Sequence, residues 1–120
     1  MADNIKSSVL SADEPLLDVP AVAERLDVPV THIINMVKER KLIAVWDHGV
    51  RKIPAVFLGE KGINRFVPGV ITLLSDGGYQ DGEILRYLFS EDDSLPGRPV
   101  DALHGHLARE VMRRAQAMAF

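Results

Sequence analysis

Apolar residues recur every three or four positions over two stretches near the start of the chain, and this spacing predicts two helices. In the first, Val19, Val22 and Leu26 share a face, with Glu24 and Arg25 outward. Asp18 stands where a carboxylate can cap the opening amides, and Pro20 falls in the first turn, where no helical donor is lost. The break at Asp27-Val28-Pro29 is short. Asp27 tolerates left-handed backbone better than most residues, and Pro29 can open the next helix. That second helix is predicted to run to about Arg40, with Ile33, Ile34 and Val37 inward and Met36 flanking them. Thr31, Asn35 and Lys38 occupy the opposite face, with His32 and Glu39 at its edges.

After Leu42 the period changes. Ala44-Val45-Trp46 and Val50-Arg51-Lys52-Ile53 are short β-prone segments around Asp47-His48-Gly49, a turn with glycine where positive φ is expected, and Pro54 closes the second strand. Helix, tight turn, helix, hairpin is the order of a winged helix-turn-helix. Trp46 is expected as core filling between hairpin and helices. The rest of the chain predicts helices: a short one carrying Val70, Ile71 and Leu74 that stops at Gly77-Gly78, and one capped by Asp81 with Ile84, Leu85, Leu88 and Phe89 buried. Glu91 to Pro99 is a loop by composition, and a last helix carries Leu103, Leu107, Val111, Ala115 and Met118, with Arg109, Arg113 and Arg114 toward its other side. The fold class is therefore mainly α with a small β-hairpin wing, a winged helix-turn-helix over residues 15–65 followed by a C-terminal helical bundle over 66–120. Residues 1–14, polar and rich in Ser and Asp, read as a flexible tail.

Composition narrows the function classes. The chain of 120 residues has no cysteine, which removes disulfides, thiolate catalysis and cysteine-bound zinc, and suits a reducing cytosol. No apolar run approaches the roughly 18 residues of a membrane span, and the first residues lack a signal-peptide pattern, so a cytoplasmic protein without membrane partners is expected. The net charge of −3 is unevenly spread: from Asp18 to Arg65 eight bases face six acids, whereas five arginines face eight acids from Phe66 onward. Positive charge thus gathers where a phosphate-binding surface would need it.

The major groove admits a helix whose outward polar side chains reach base edges. Asn35 is the best base-reading candidate, since an amide pairs bidentately with adenine; Thr31 and His32 sit one turn earlier. Lys38, Lys41, Arg51 and Lys52 are candidates for phosphate contacts, which position without reading sequence. The competing interpretation is the ordinary solvated face of an amphipathic helix. His104 and His106 flank Gly105, but two imidazoles fall short of a structural metal site, which generally takes four ligands. No spacing of Ser, His and Asp suggests a nucleophile with its base, and no glycine-rich phosphate loop occurs. The expectation is a non-enzymatic protein with no cofactor and no metal.

The stretch LDVPAVAERLDVPVTHIINMVKERKLIAV followed by RKIPAVFL resembles the excisionase and MerR-like winged helix-turn-helix group of bacterial DNA-binding proteins. Three positions depart from that group: Asp27 and Arg40 stand where glycine is usual, and Pro29 where a serine cap is usual. With the second half included, the chain resembles a family of small actinobacterial DNA-binding proteins known from mycobacteria and linked to Ser/Thr kinase signalling. The resemblance implies double-stranded DNA as partner, a role in transcription regulation, and a Ser/Thr protein kinase acting on the chain. Ser7, Ser8 and Ser11 are the candidate phosphorylation sites in the tail, against the reading of plain solvated serines. The run Leu95-Pro96-Gly97-Arg98-Pro99-Val100-Asp101-Ala102-Leu103 is also similar to toxin-binding domains of bacterial antitoxins, so a protein-binding adaptor acting through residues 66–120 is the rival reading. The apolar stripes of the last helix and of Ile84–Phe89 either form a homodimer or partner seam or are spent on the core.

Overall fold

The protein, described here over residues 9–120 from a computed structural model, opens with strand β1 (Leu16–Asp18), which leads directly into α1 (Val19–Leu26). Asp18 caps α1 as expected, its Oδ1 accepting from the Ala21 N–H at 2.9 Å. Helix α2 (Val30–Lys38) follows after a three-residue turn, and then come β2 (Val45–Asp47) and β3 (Val50–Pro54). These strands form the expected hairpin around His48 (φ 52°) and Gly49 (φ 79°), two left-handed residues as a tight two-residue hairpin turn requires. The hairpin is not alone. β1 pairs antiparallel with β3, Leu17 opposite Ile53, giving a three-stranded sheet in the order β1-β3-β2.

A 3-10 turn at Ala55–Phe57 leads into a second small hairpin, β4 (Leu58–Gly59) and β5 (Gly62–Ile63). The second half is helical: α3 (Val67–Asp76), α4 (Asp81–Phe89), a short α5 (Pro99–Ala102) and α6 (Ala108–Met118). Among the described residues no helix is long and apolar enough to cross a membrane.

Several expectations are corrected. Gln80, not Asp81, caps α4: its backbone N–H donates to Glu83 Oε1 at 2.8 Å while its side chain accepts from the Glu83 backbone. This reciprocal pair leaves the Asp81 carboxylate to bind the Arg40 guanidinium. The last helix begins at Ala108, so Leu103 and Leu107 precede it, and a short helix α5 begins at Pro99, the last residue of the predicted loop. Within residues 1–14, composition predicted a tail, yet Leu10 is buried and Glu14 forms an ion pair with Arg98. Gly77-Gly78 ends α3 as expected: Gly78 takes φ 98°, and Gly77 leaves room for Ala119, whose Cα would lie 2.8 Å from a Cβ there.

One hydrophobic cluster runs through both halves. Phe57 and Phe89 meet edge to face across them, centroids 5.7 Å apart. Ile84, Leu85 and Leu88 of α4 and Val111 and Ala115 of α6 are buried in this core, so both apolar stripes are spent inside the single chain. Leu95, Pro99, Val100 and Leu103 are buried as well, so the run similar to antitoxin domains supplies core residues.

Asn64 is the one buried polar residue among those described. Its Nδ2 donates to the Leu103 carbonyl at 3.0 Å and its Oδ1 accepts from the Phe66 N–H at 2.9 Å. His104 donates from Nε2 to the Val56 carbonyl at 2.6 Å, which fixes the proton there and leaves Nδ1 to accept from Asn64 Nδ2 at 3.3 Å. Asn64→Ala would strand the Phe66 amide and the Leu103 carbonyl, at about 1–3 kcal/mol for each buried group left unpaired. Urea unfolding should show a midpoint lowered accordingly, with its slope unchanged.

The positions where the resembling group carries glycine both adopt left-handed backbone here, Asp27 at φ 57° and Arg40 at φ 60°. Arg40 is held there by tertiary contacts: its side chain binds Asp81 and its carbonyl accepts from Thr72 Oγ1 at 2.9 Å. Among the described residues, exposed Asp27 has only the local helix-end bonds of its amide. Asp27→Gly should therefore stabilise the fold by about 0.5–1 kcal/mol, whereas Arg40→Gly should destabilise it, both read by thermal unfolding.

Candidate nucleic-acid interface

Helix α2 turns by about 100° per residue, which places Thr31, Asn35 and Lys38 within an arc of about 60°. All three are exposed, as are His32 and Glu39 on the adjoining edge. Ile33 on the far side is fully buried, and Ile34, Met36 and Val37 are packed against the core. The stripe predicted from spacing is thus a contiguous polar face projecting from the body. Val30, at the start of the helix, is 38% exposed although its phase sets it beside Val37 and not on the Thr31–Asn35–Lys38 face. Periodicity did not mark it, because an apolar residue next to a buried stripe reads as core. Lys41, just past the helix, lies 3.4 Å from the Glu39 carboxylate and is partly neutralised by it.

The wing divides its two cations. Trp46 pairs with Arg51 across the strands and Val45 with Lys52, so the alternation of a strand sends Arg51 and Lys52 to opposite faces. Arg51 lies over the Trp46 ring, its Cζ 5.6 Å from the centroid. Trp46 is only partly buried and serves as the platform for that guanidinium, not as the core filling its size suggested. Lys52 turns the other way. Its Nζ is 3.1 Å from Asp47 Oδ2, and it lines a cleft of about 550 Å³ with Leu10, Ser11 and Glu14. His48 at the turn lies 3.1 Å from the other Asp47 oxygen.

Arg25, Lys38 and Arg51 carry no ion pair among the described residues. Three of the five arginines after Phe66 are compensated: Arg98 by Glu14 and Asp101, Arg113 by Glu110, and Arg114 by Glu110 and Asp92. Hydrogen bonds from Arg113 and Arg114 push the Glu110 carboxyl down to about 2, and Arg98 holds that of Asp101 below the usual range. The acidic second half spends much of its basic charge internally, while Lys38 of α2 and Arg51 of the wing carry no ion pair among the described residues.

Ser11 is exposed, its Oγ accepting from the Asp13 N–H at 3.3 Å; Ser7 and Ser8 lie outside the described residues. His104 anchors a backbone carbonyl, and His106 stands exposed two residues on. Among the described residues no group of three or more His, Asp or Glu is placed to hold a metal ion.

This geometry agrees with comparison against known proteins. Residues 4–58 match a family described as "DNA-binding protein Rv2175c, wHTH domain", and residues 65–119 match its "C-terminal domain of unknown function". A relative from Mycobacterium tuberculosis (strain ATCC 25618 / H37Rv), "DNA-binding protein Rv2175c", is 48% identical over 93% of this chain and 86% of its own length. The chain belongs to the Rv2175c family. The fold is shared too: the NMR structure of Rv2175c superposes with a TM-score of 0.85 at 46% identity, over 97% of this chain and 88% of that one.

The sequence contains one tryptophan, so Trp46 fluorescence reports on the wing alone. Arg51→Ala removes the guanidinium from its ring and should raise the acrylamide quenching constant of Trp46. Lys52→Ala, on the opposite face, should leave it unchanged.

Proposed function

We propose that the chain binds double-stranded DNA by laying α2 in the major groove with the β2–β3 wing along the flanking backbone, and that it acts in transcription regulation. The observation that carries this reading is the exposed Thr31–Asn35–Lys38 stripe, a polar face with a cation lacking an ion pair on a helix whose other side is locked into the core. The name of the M. tuberculosis relative supports it. In this role Asn35 reads a base edge, Thr31 and His32 lie at the groove end of the helix, and Lys38 meets a phosphate. Arg51, stiffened by Trp46, supplies the wing contact. Lys41 and Lys52 contribute less, because each already has a carboxylate neighbour. One such module buries a modest interface, about 600–1,000 Å² in comparable single modules, which favours two copies on an operator.

Phosphorylation of the tail fits the same scheme. A phosphate on Ser11 would bring about −1.5 to −2 charge to the cleft that Lys52 lines, repelling a polyanion near the wing.

Fluorescence anisotropy with a mixed-sequence duplex over a salt series tests the proposal. Wild-type affinity should fall steeply with salt, and Arg51→Ala should make the log–log slope shallower by about 1. Lys52→Ala should change it by less, and Ser11→Glu should weaken binding. On a selected operator, Asn35→Ala should lose about 1–3 kcal/mol of discrimination at one base pair. A protein that stays unbound at low salt would exclude this function.

A further inference from the structure

A second set of cations without ion pairs lies away from α2 and the wing. Arg65 places its Cζ 4.9 Å from the Phe66 ring centroid, and Arg109, from α6, places its own 6.0 Å from the same centroid. No carboxylate pairs with either guanidinium among the described residues, nor with Lys61 at the tip of the β4–β5 hairpin. Two like charges gathered on one ring repel, and an anion supplied from outside relieves that repulsion.

Beside this ring opens a cleft of about 550 Å³ lined by Lys61, Arg65, Phe66, Asn64 and His104. Glycines 59, 62 and 105 also line it, leaving backbone approachable, and Glu60 is the one carboxylate in its wall. The Asn64 and His104 side chains are committed to the fold, so the cleft's groups left to meet an anion are Lys61 and Arg65, with Arg109 beside them over the shared Phe66 ring.

Its position relative to the wing is informative. The wing sheet joins the N-terminal end of α1 through β1, whereas a Cβ on Gly62 would lie 3.8 Å from Leu26 at the C-terminal end of α1. Eight residues of helix separate these ends, about 12 Å at 1.5 Å per residue. The major groove is about 12 Å wide between its two phosphate strands.

We infer that Lys61, Arg65 and Arg109 form a second phosphate contact on the same duplex, gripping the backbone strand across the groove from the wing. The inference rests on the DNA reading of α2, and it commits to duplex phosphate over a small free anion. Phe66 serves as the apolar platform that orients both guanidiniums toward the strand, as Trp46 does for Arg51.

Anisotropy on a duplex of about 24 base pairs tests it, using the full chain, Lys61→Gln/Arg65→Gln/Arg109→Gln, and Arg86→Gln as a control. Arg86 is also exposed and without an ion pair among the described residues, but lies on α4. The triple variant should lower the log–log salt slope by about 2–3, at about 0.9 per phosphate contact, while the control leaves it unchanged. The wild-type protein gives a reading independent of any substitution: amide resonances of residues 59–65 should shift when duplex is added. An unchanged slope, or unmoved amides with duplex bound, overturns the second contact and leaves the α2 reading standing. Wild-type protein that binds no duplex removes both. Inorganic phosphate that moves these amides at matched ionic strength, in a protein whose triple variant keeps the wild-type DNA slope, assigns the cleft to a small anion and overturns the inference.

Discussion

A buried amide that must satisfy both its oxygen and its nitrogen sets the relation between the two halves of this protein. Asn64 stands at the junction between the β4–β5 hairpin and α3, and its side chain reaches the carbonyl of Leu103 thirty-nine residues later. In a low-dielectric interior each of those bonds is strong, and each is costly to leave unmade. The backbone on either side is therefore pinned: the Phe66 amide turns inward, His104 is drawn against Asn64, and His104 in turn grips the Val56 carbonyl. Around this polar centre the apolar side chains of both halves close into one cluster, and neither half retains a separate core. Helix α2 is thus braced, through Ile33 and the core beneath it, by the helices of the second half.

The electrostatics follow from which charges the fold has already used. Arg98, Arg113 and Arg114 of the acidic second half are tied to carboxylates of their own or other segments. Lys38 and Arg51 have no such partner among the described residues. A net charge of −3 is consequently a poor guide to the surface that a polyanion would meet. What matters is the pairing, and pairing depends on strand alternation and helix phase, which single residue counts do not contain.

Much of the architecture was legible because it rests on local chemistry. Asp18 as a cap, left-handed Asp27, the His48-Gly49 turn and the polar stripe of α2 are each specified within a few residues, and each occurs as the spacing predicts. The parts that were not legible depend on distant partners. β1 has three residues with no period of its own and becomes a strand because β3 is there to receive it. Asp81 looks like a cap in isolation; Gln80 and Glu83 can cap each other, which leaves Asp81 to bind Arg40 from the turn after α2. Arg51 and Lys52 read as one basic patch, yet a strand sends neighbours to opposite faces, and Trp46 and Asp47 then claim one each. The Arg65–Phe66–Arg109 cluster could not be anticipated at all, since two of its members are adjacent and the third arrives from α6.

The pairing of β1 with β3 has a consequence for the order in which the molecule is assembled. Residues 19–49, which include α1, α2 and β2, form a loop whose ends are tied together by that ladder. During synthesis β1 emerges first and cannot be paired until β3 has left the ribosome, by which time the intervening helices and the local β2–β3 hairpin have had time to form. Closing so long a loop costs little more than closing one of half its length, so the delay is kinetic and not a thermodynamic burden. Leu16 and Leu17 spend that interval without their β3 partners, and the first strand made waits for the third.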